Sequence, residues 1–502
     1  MGFNSFTFIL IFLPLLLAGW YLLNSIKKYK VADTFLCIMS LYFYYSFGAN
    51  YLWVLLLSLF VNYAFSLIME KKASLKKPIK IAGVIFNLGL LFCFKYLGFF
   101  TDNLNALTGM SLSAKEIIMP IGISFFTFGQ ISYIVDKANG EADGYSFLEY
   151  AMYTLYFPKL IQGPIAFHKE MISQFRDNDK RVFDADRFSG GLISFIIGLG
   201  KKVILADNLA RAVNYGFEQT YFLDTITVIA VMLAYTFQIY LDFSGYCDMA
   251  GGVSLMLGYE LPMNFNSPYK ASSAKELWQR WHMTLSRFFI KYVYIPLGGS
   301  RKGRMRTVVN VLIVFVLSGL WHGAGWTYIC WGLMQGLLVV FDDIGIIGVA
   351  GSERKKKYLF RESPLLTIPR WLGNALTFLM FVVSLVFFRS QDMAHAFGMF
   401  RRLFYWTYPG FLHRTAGKLA LSENYVARQI LTRLGSGSDT VVYLATLVIM
   451  LVVSAFIMTR KNTAEIIKEN KLSTKLAIGL GIVFVWAFIS LSEVSTFIYF
   501  QY

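Results

Sequence analysis

The sequence predicts an all-α polytopic membrane protein, and three observations carry that prediction. The 502 residues are 56% hydrophobic and 17% aromatic, with a mean hydropathy of +0.53. Only 15% are charged, against about 25% in an average soluble chain. Apolar stretches approaching the roughly 20 residues that cross a bilayer recur along the whole chain.

The spans read, in order, at 6–26, 33–49, 51–69, 80–100, 117–135, 189–206, 225–258, 307–320, 326–346, 371–389, 440–459 and 476–497. No positive stretch precedes Phe6 and no small-residue cleavage site follows, so Phe6–Ile26 is read as a retained span. Met119–Phe128 contains Pro120 and reads as a kinked span, with Ser124 and Thr127 compensating the lost backbone bond. Tyr156–Ile165 carries Pro158 and Pro164 and cannot be one regular span. At membrane depth it is tolerated only inside protein or along a cavity. The stretch 225–258 is too long for a single crossing and is expected to bend or divide at Ser244-Gly245.

The formal charge of +17 is gathered into short loops, at Lys27–Lys30, Lys71–Lys80, Arg301–Arg306, Arg354–Arg361 and Arg460–Lys475. No aromatic-basic platform accompanies them, so the charge reads as a cytoplasmic-side topology signal and not as a nucleic-acid surface. With these loops inside, both termini lie outside and 390–439 forms an extracytoplasmic segment. Cys37, Cys93, Cys247 and Cys330 stand singly in apolar segments, without metal-ligand spacing, and read as small core residues. No metal site is indicated.

Within this apolar background His322 is conspicuous, in Ser318-Gly319-Leu320-Trp321-His322-Gly323-Ala324-Gly325-Trp326. Both flanks of its hairpin are basic. Residues 307–320, at about 1.5 Å each, carry the chain about 21 Å into a core of about 30 Å. An ionisable group at that depth usually faces a cavity or a partner. A second pair, Trp281-His282, follows Arg280 on a segment that Ser273-Ala274-Lys275-Glu276 opens as a capping box. Trp278, Trp281, His282, Leu285, Phe288, Phe289 and Tyr292 recur at helical spacing. They predict one amphipathic helix ending before Pro296, with His282 on its apolar face. A satisfied core histidine fits that position as well as a catalytic one. His168, His395 and His413 read as solvated surface residues. Asp242 and Asp248 either orient a histidine or line a polar path, or act structurally, capping a broken helix or pairing with a buried arginine such as Arg280 or Arg287; six residues apart on a helix, they face different ways.

Several of these segments together resemble the membrane-bound O-acyltransferase (MBOAT) family, in its bacterial alginate O-acetylation branch. They are Pro120–Phe128, Phe157–Pro164, Tyr240–Asp248, Asn264–Tyr269, Trp278–Gly299, Leu317–Trp331 and the ending Phe497–Tyr502. The most specific combination is Arg280–Ser286, then Tyr294–Gly299, then Ser318–Gly323. The resemblance implies about 11–13 membrane helices, with re-entrant and amphipathic helices, around a funnel or tunnel. It divides the chain into N-terminal membrane helices (1–116), a catalytic core (117–346) and C-terminal membrane helices (347–502).

It further implies that His322 is the catalytic histidine and His282 the second signature residue, with Trp321, Trp281, Ser318, Arg280, Asp242 and Asp248 as tunnel-lining or supporting candidates. The reaction implied is acyl transfer, most simply of acetyl, from a cytoplasmic thioester such as acetyl-CoA or an acyl carrier protein, with no bound cofactor. The acceptor is an exported polysaccharide, served by an extracytoplasmic SGNH-type partner. Lys159 stands where the branch more often has glutamine. On chemical grounds His322 is expected to act as general base toward the acceptor hydroxyl, since a buried imidazole stays neutral, and His282 is expected to orient or polarise the acyl group, for instance by donating a hydrogen bond to the developing oxyanion. The alternatives are D-alanyl transfer to teichoic acid, a polysaccharide or lipid-linked sugar transporter, and a scaffold for the extracytoplasmic partner. A transporter would be expected to show an internal repeat, and none is seen.

Overall fold

The computed structural model describes residues 1–113, 118–351, 358–419, 425, 428–429, 438–469 and 473–493. Among them, nine helices are long and apolar enough to cross a membrane. They are Phe8–Ser25, Ala49–Lys71, Ala73–Thr108, Ala185–Glu218, Thr225–Met256, Arg304–His322, Trp326–Ile344, Arg370–Arg389 and Asp439–Thr459. Three further spans expected from sequence form shorter helices, at Tyr29–Tyr45, Ile123–Ala138 and Thr474–Ile489. The chain ending, Phe497–Tyr502, lies outside the described residues, as do parts of the 354–361 loop and of 390–439. A short parallel ladder, Ile347–Val349 against Leu366–Ile368, is the only sheet among the described residues.

Unlike a soluble helix, a span here can turn its polar residues inward while leaving large apolar side chains exposed. In Ala49–Lys71, Ser58, Asn62 and Ser66 are buried while Trp53, Leu57 and Phe60 are exposed. Without water, a buried amide must find its partner in the protein. Asn62 and Asn87 satisfy one another reciprocally across two helices, Nδ2 to Oδ1, at 3.2 and 2.7 Å.

The chain forms two compact units, each assembled from separated segments. The first comprises Met1–Gly198, Tyr246–Met263 and the described part of 470–491. Its apolar centre is a cluster of Phe3, Phe8, Phe12, Phe43 and Phe157 rings. The two-proline segment forms one helical turn, Phe157–Leu160, followed by irregular chain, and is largely buried, as its backbone requires. Pro120 does not kink a helix. It precedes the Ile123–Ala138 helix, which begins after Gly122 in a left-handed conformation (φ 75°). A side chain at Gly122 would meet the backbone of Leu160 and Ile161 within 3.0 Å, so the close approach requires glycine there.

The second unit contains Leu199–Gly245 and the described parts of 264–469. At its centre the helices Arg304–His322 and Trp326–Ile344 form a tight hairpin. Gly319 and Gly332 lie face to face in it. A Cβ on Gly319 would fall 2.2 Å from the Tyr328 carbonyl oxygen, and one on Gly332 would fall 2.4 Å from that of Phe315. Small residues at such a crossing let helix backbones touch where lipid supplies no hydrophobic drive.

Several expectations are corrected. Thr225–Met256 is one uninterrupted helix of 32 residues, with no division at Ser244-Gly245. Both residues are buried along its length, and neither lacks an amide hydrogen. His168 is not a surface residue: it is fully buried, with Nε2 3.0 Å from Asp136 Oδ2 and Nδ1 2.9 Å from the Tyr145 hydroxyl. His395 and His413 are more open, His395 pairing with Asp392 at 3.0 Å. Of the four cysteines only Cys37 is buried; Cys93 is exposed on an apolar helix, while Cys247 and Cys330 are intermediate.

Candidate active site

The hairpin ends on a histidine. His322 is the last residue of the Arg304–His322 helix, which stops because Gly323 turns extended and Gly323-Ala324-Gly325 leads into the return helix. The imidazole is 3% exposed. Its ring centroid lies 4.8 Å from Trp321, 5.2 Å from Trp331, 5.2 Å from Phe388 and 6.4 Å from His282, all in edge-on geometry.

His282 reaches this place by a break in the chain. Two helices, Ala274–Arg280 and Met283–Phe289, replace the single amphipathic helix expected from periodicity. His282 between them takes a left-handed conformation (φ 44°, ψ 50°), rare for a residue with a side chain. The Ser273 cap is present, its hydroxyl accepting from Glu276 N. Glu276 reaches instead to the amide and hydroxyl of Ser272. His282 is fully buried, its ring 4.9 Å from Phe243 and 5.9 Å from Trp321.

What holds the break is Asn264, which sequence reasoning assigned no role. Its carbonyl oxygen accepts Met283 N at 2.9 Å. Its side-chain Oδ1 accepts from Thr284 N at 3.3 Å and from Thr284 Oγ1 at 2.9 Å, and lies 3.0 Å from His282 Nδ1. The available signal was its place in the Asn264–Tyr269 segment, which carried part of the resemblance. Of the two rings that wall His322, Trp331 closes the Leu317–Trp331 segment that also carried part of the resemblance, whereas Phe388 carried no signal beyond its aromatic character.

The remaining candidates divide. Trp321 packs edge-on against both imidazoles and Ser318 is buried one turn before His322. Trp281 is packed among Phe265, Tyr269 and Phe381, and so anchors the break without ring contact to either histidine. Trp278 donates to Gln335 at 3.2 Å and Gln335 to Ser384 at 2.7 Å, tying the Ala274–Arg280 helix to two spans. Arg280 is engaged with Glu276 at 2.9 Å and with the Asn266 carbonyl. Asp242 pairs with a cation, as one reading held, but the cation is Lys202 at 2.5 Å, with Asp207 also bound to it at 2.7 Å. Asp248 falls in the first unit, half-buried, where its carbonyl accepts from Ser194 Oγ.

Two buried imidazoles in an aromatic enclosure, at the apex of a membrane hairpin, suit proton transfer to and from a substrate shielded from water. That arrangement belongs to a multi-pass membrane enzyme, and the comparisons with known proteins say of which kind. Residues 41–349 match the family described as MBOAT, membrane-bound O-acyltransferase family. The peptidoglycan O-acetyltransferase of Helicobacter pylori is 33% identical, in an alignment covering 100% of this chain and 97% of that protein. The probable alginate O-acetylase AlgI of Pseudomonas syringae pv. tomato is 36% identical over 80% of this chain and 75% of its own length. A teichoic acid D-alanyltransferase of Streptococcus thermophilus is 27% identical over 55% of this chain and 69% of its own. The chain belongs to the membrane-bound O-acyltransferase family and is an acyltransferase.

Proposed function

We propose that this protein moves acetyl groups from a cytoplasmic thioester across the cytoplasmic membrane of a bacterium, for O-acetylation of a cell-surface polysaccharide. The observation that carries the catalytic part is the His282–His322 pair, with ring centroids 6.4 Å apart among aromatic side chains. In this reading both are catalytic: one imidazole takes the proton of the attacking hydroxyl and the other faces the acyl group. The donor is acetyl-CoA or an acyl carrier protein, drawn to basic loops such as Arg301–Arg306. An SGNH-type protein outside the membrane completes delivery, and both chain termini face that side. Among acceptors peptidoglycan is favoured, because the peptidoglycan O-acetyltransferase aligns from end to end whereas the alginate relatives align over 80% of the chain.

The test is release of base-labile acetate from purified cell walls and secreted polymers of cells carrying the protein or His322→Ala. Acetylated muropeptides that vanish in the variant, with membrane levels unchanged, support the proposal. Acetate retained by the variant overturns the catalytic assignment. Loss of acetate from a secreted polymer alone overturns the choice of peptidoglycan.

A further inference from the structure

A lysine without a counter-charge stands in the two-proline segment of the first unit. Lys159 belongs to the helical turn Phe157–Leu160, which is held from two sides. Gly122 packs on the backbone of Leu160 and Ile161, and Gly163 folds back so closely that a Cβ there would lie 2.4 Å from Lys159 Cα. The side chain therefore starts from a fixed point, and its Nζ lies 4.0 Å from the centroid of the Tyr153 ring. An ammonium over an aromatic face is stabilised in its charged form. The Tyr153 hydroxyl is in turn anchored on the Ala166 carbonyl at 3.3 Å.

Beside this ammonium is a cleft of about 20 Å³, walled by Phe125, Phe126, Leu160, Pro164 and Ile165. Among the described residues no acidic side chain lines it or pairs with Lys159. Gln130 lines the same cleft and is 1% exposed. Its Oε1 accepts from the Tyr150 hydroxyl at 2.7 Å, while its Nε2 has no hydrogen-bond partner among the described residues. A positive charge and an amide donor thus border one small space, and both lack a negative acceptor. Apolar walls make each costly to leave so.

We infer that this cleft is a binding site for a small monovalent anion, a halide or a short carboxylate, held by Lys159 Nζ and Gln130 Nε2. The volume exceeds the roughly 10–15 Å³ that one water needs, so it admits a group of a few atoms and no polymer. One lysine balances one charge. A water would take the hydrogen bonds and leave the charge unbalanced, and a phosphate dianion would reverse the imbalance. The inference stands apart from the acyl-transfer reading and does not depend on it.

The test uses the purified full-length protein in detergent. Gluconate, too bulky for the cleft, is replaced stepwise by chloride or by acetate at constant ionic strength, so that screening does not change. The unfolding midpoint should rise and saturate, and the ion that half-saturates at the lower concentration is the preferred occupant. Lys159→Met should show a flat midpoint, because the charge that needs the anion is gone. Gln130→Leu should keep the response but require about tenfold more anion, the loss of one hydrogen bond to a charged group. Crystals of the unmodified protein grown with the preferred ion, bromide standing in for chloride, should hold it between Lys159 Nζ and Gln130 Nε2. This decides the matter even if Lys159→Met does not fold. A midpoint indifferent to both ions overturns the inference, as does an equal rise in Lys159→Met or a cleft that holds only water in those crystals.

Discussion

Gly319→Ala tests whether the hairpin crossing sets the position of His322. The added methyl would sit 2.2 Å from the Tyr328 carbonyl oxygen and 3.1 Å from Gly332 Cα, both backbone atoms that no rotamer change can move. Restoring even a 3.0 Å contact requires the helices to part by about 0.8 Å there, an overpacking worth about 1–3 kcal/mol. Gly319 lies within a single helical turn of His322, so the shift passes to the imidazole. A displacement approaching 1 Å at a reacting group lowers rates by about 100-fold. The assay is acetyl transfer in membranes, paired with thermal unfolding of the purified protein in detergent. Gly325→Ala is the control, because its methyl would meet nothing closer than 3.5 Å. The expected outcome is a lower unfolding temperature and severely reduced transfer for Gly319→Ala, with Gly325→Ala close to the unmodified protein. A Gly319→Ala enzyme of normal stability and rate would refute the reasoning.

Further outcomes follow from the buried polar groups. His168→Leu removes a hydrogen-bond partner of the buried Asp136 carboxyl and should destabilise by about 1.5–3 kcal/mol, read as a lowered unfolding midpoint. Tyr145→Phe, which removes only a neutral hydrogen bond, should destabilise by about 1 kcal/mol. Lys202→Met leaves Asp207 and Asp242 buried without their shared ammonium and should destabilise by about 3–5 kcal/mol. Adding Asp207→Asn and Asp242→Asn to it should recover part of that loss in the same melt. Asn62→Leu and Asn87→Leu should couple by about 0.6 kcal/mol in a double-mutant cycle, and strict additivity would count against the amide pair.

The spans were legible because hydropathy is a bulk property: nine of the expected stretches are helices of crossing length. His322 was legible because its depth follows from chain length between two basic loops. The break at His282 was not, since helical periodicity runs through Trp278–Tyr292 with neither glycine nor proline to interrupt it. The break is held from a distance, by an asparagine 18 residues earlier in the chain. His168 misled for a similar reason. Its neighbours Lys169 and Glu170 are polar, but its partner Asp136 lies 32 residues upstream. Ser244-Gly245 looked like a joint because both residues have weak helix propensity. Burial on a long helix overrides that preference, and the helix runs through.

The left-handed turn at residue 282 also bears on how this enzyme could be altered. A side chain presented from a helix face can be replaced in function by one placed a turn away, because the face repeats. His282 is presented by a single reversal of the backbone between two short helices, so no position a turn away offers the same address. Redesign that seeks new acyl groups would therefore keep 281–284 and Asn264 as a fixed cassette and place its variation elsewhere on the site's walls, beginning with Phe388.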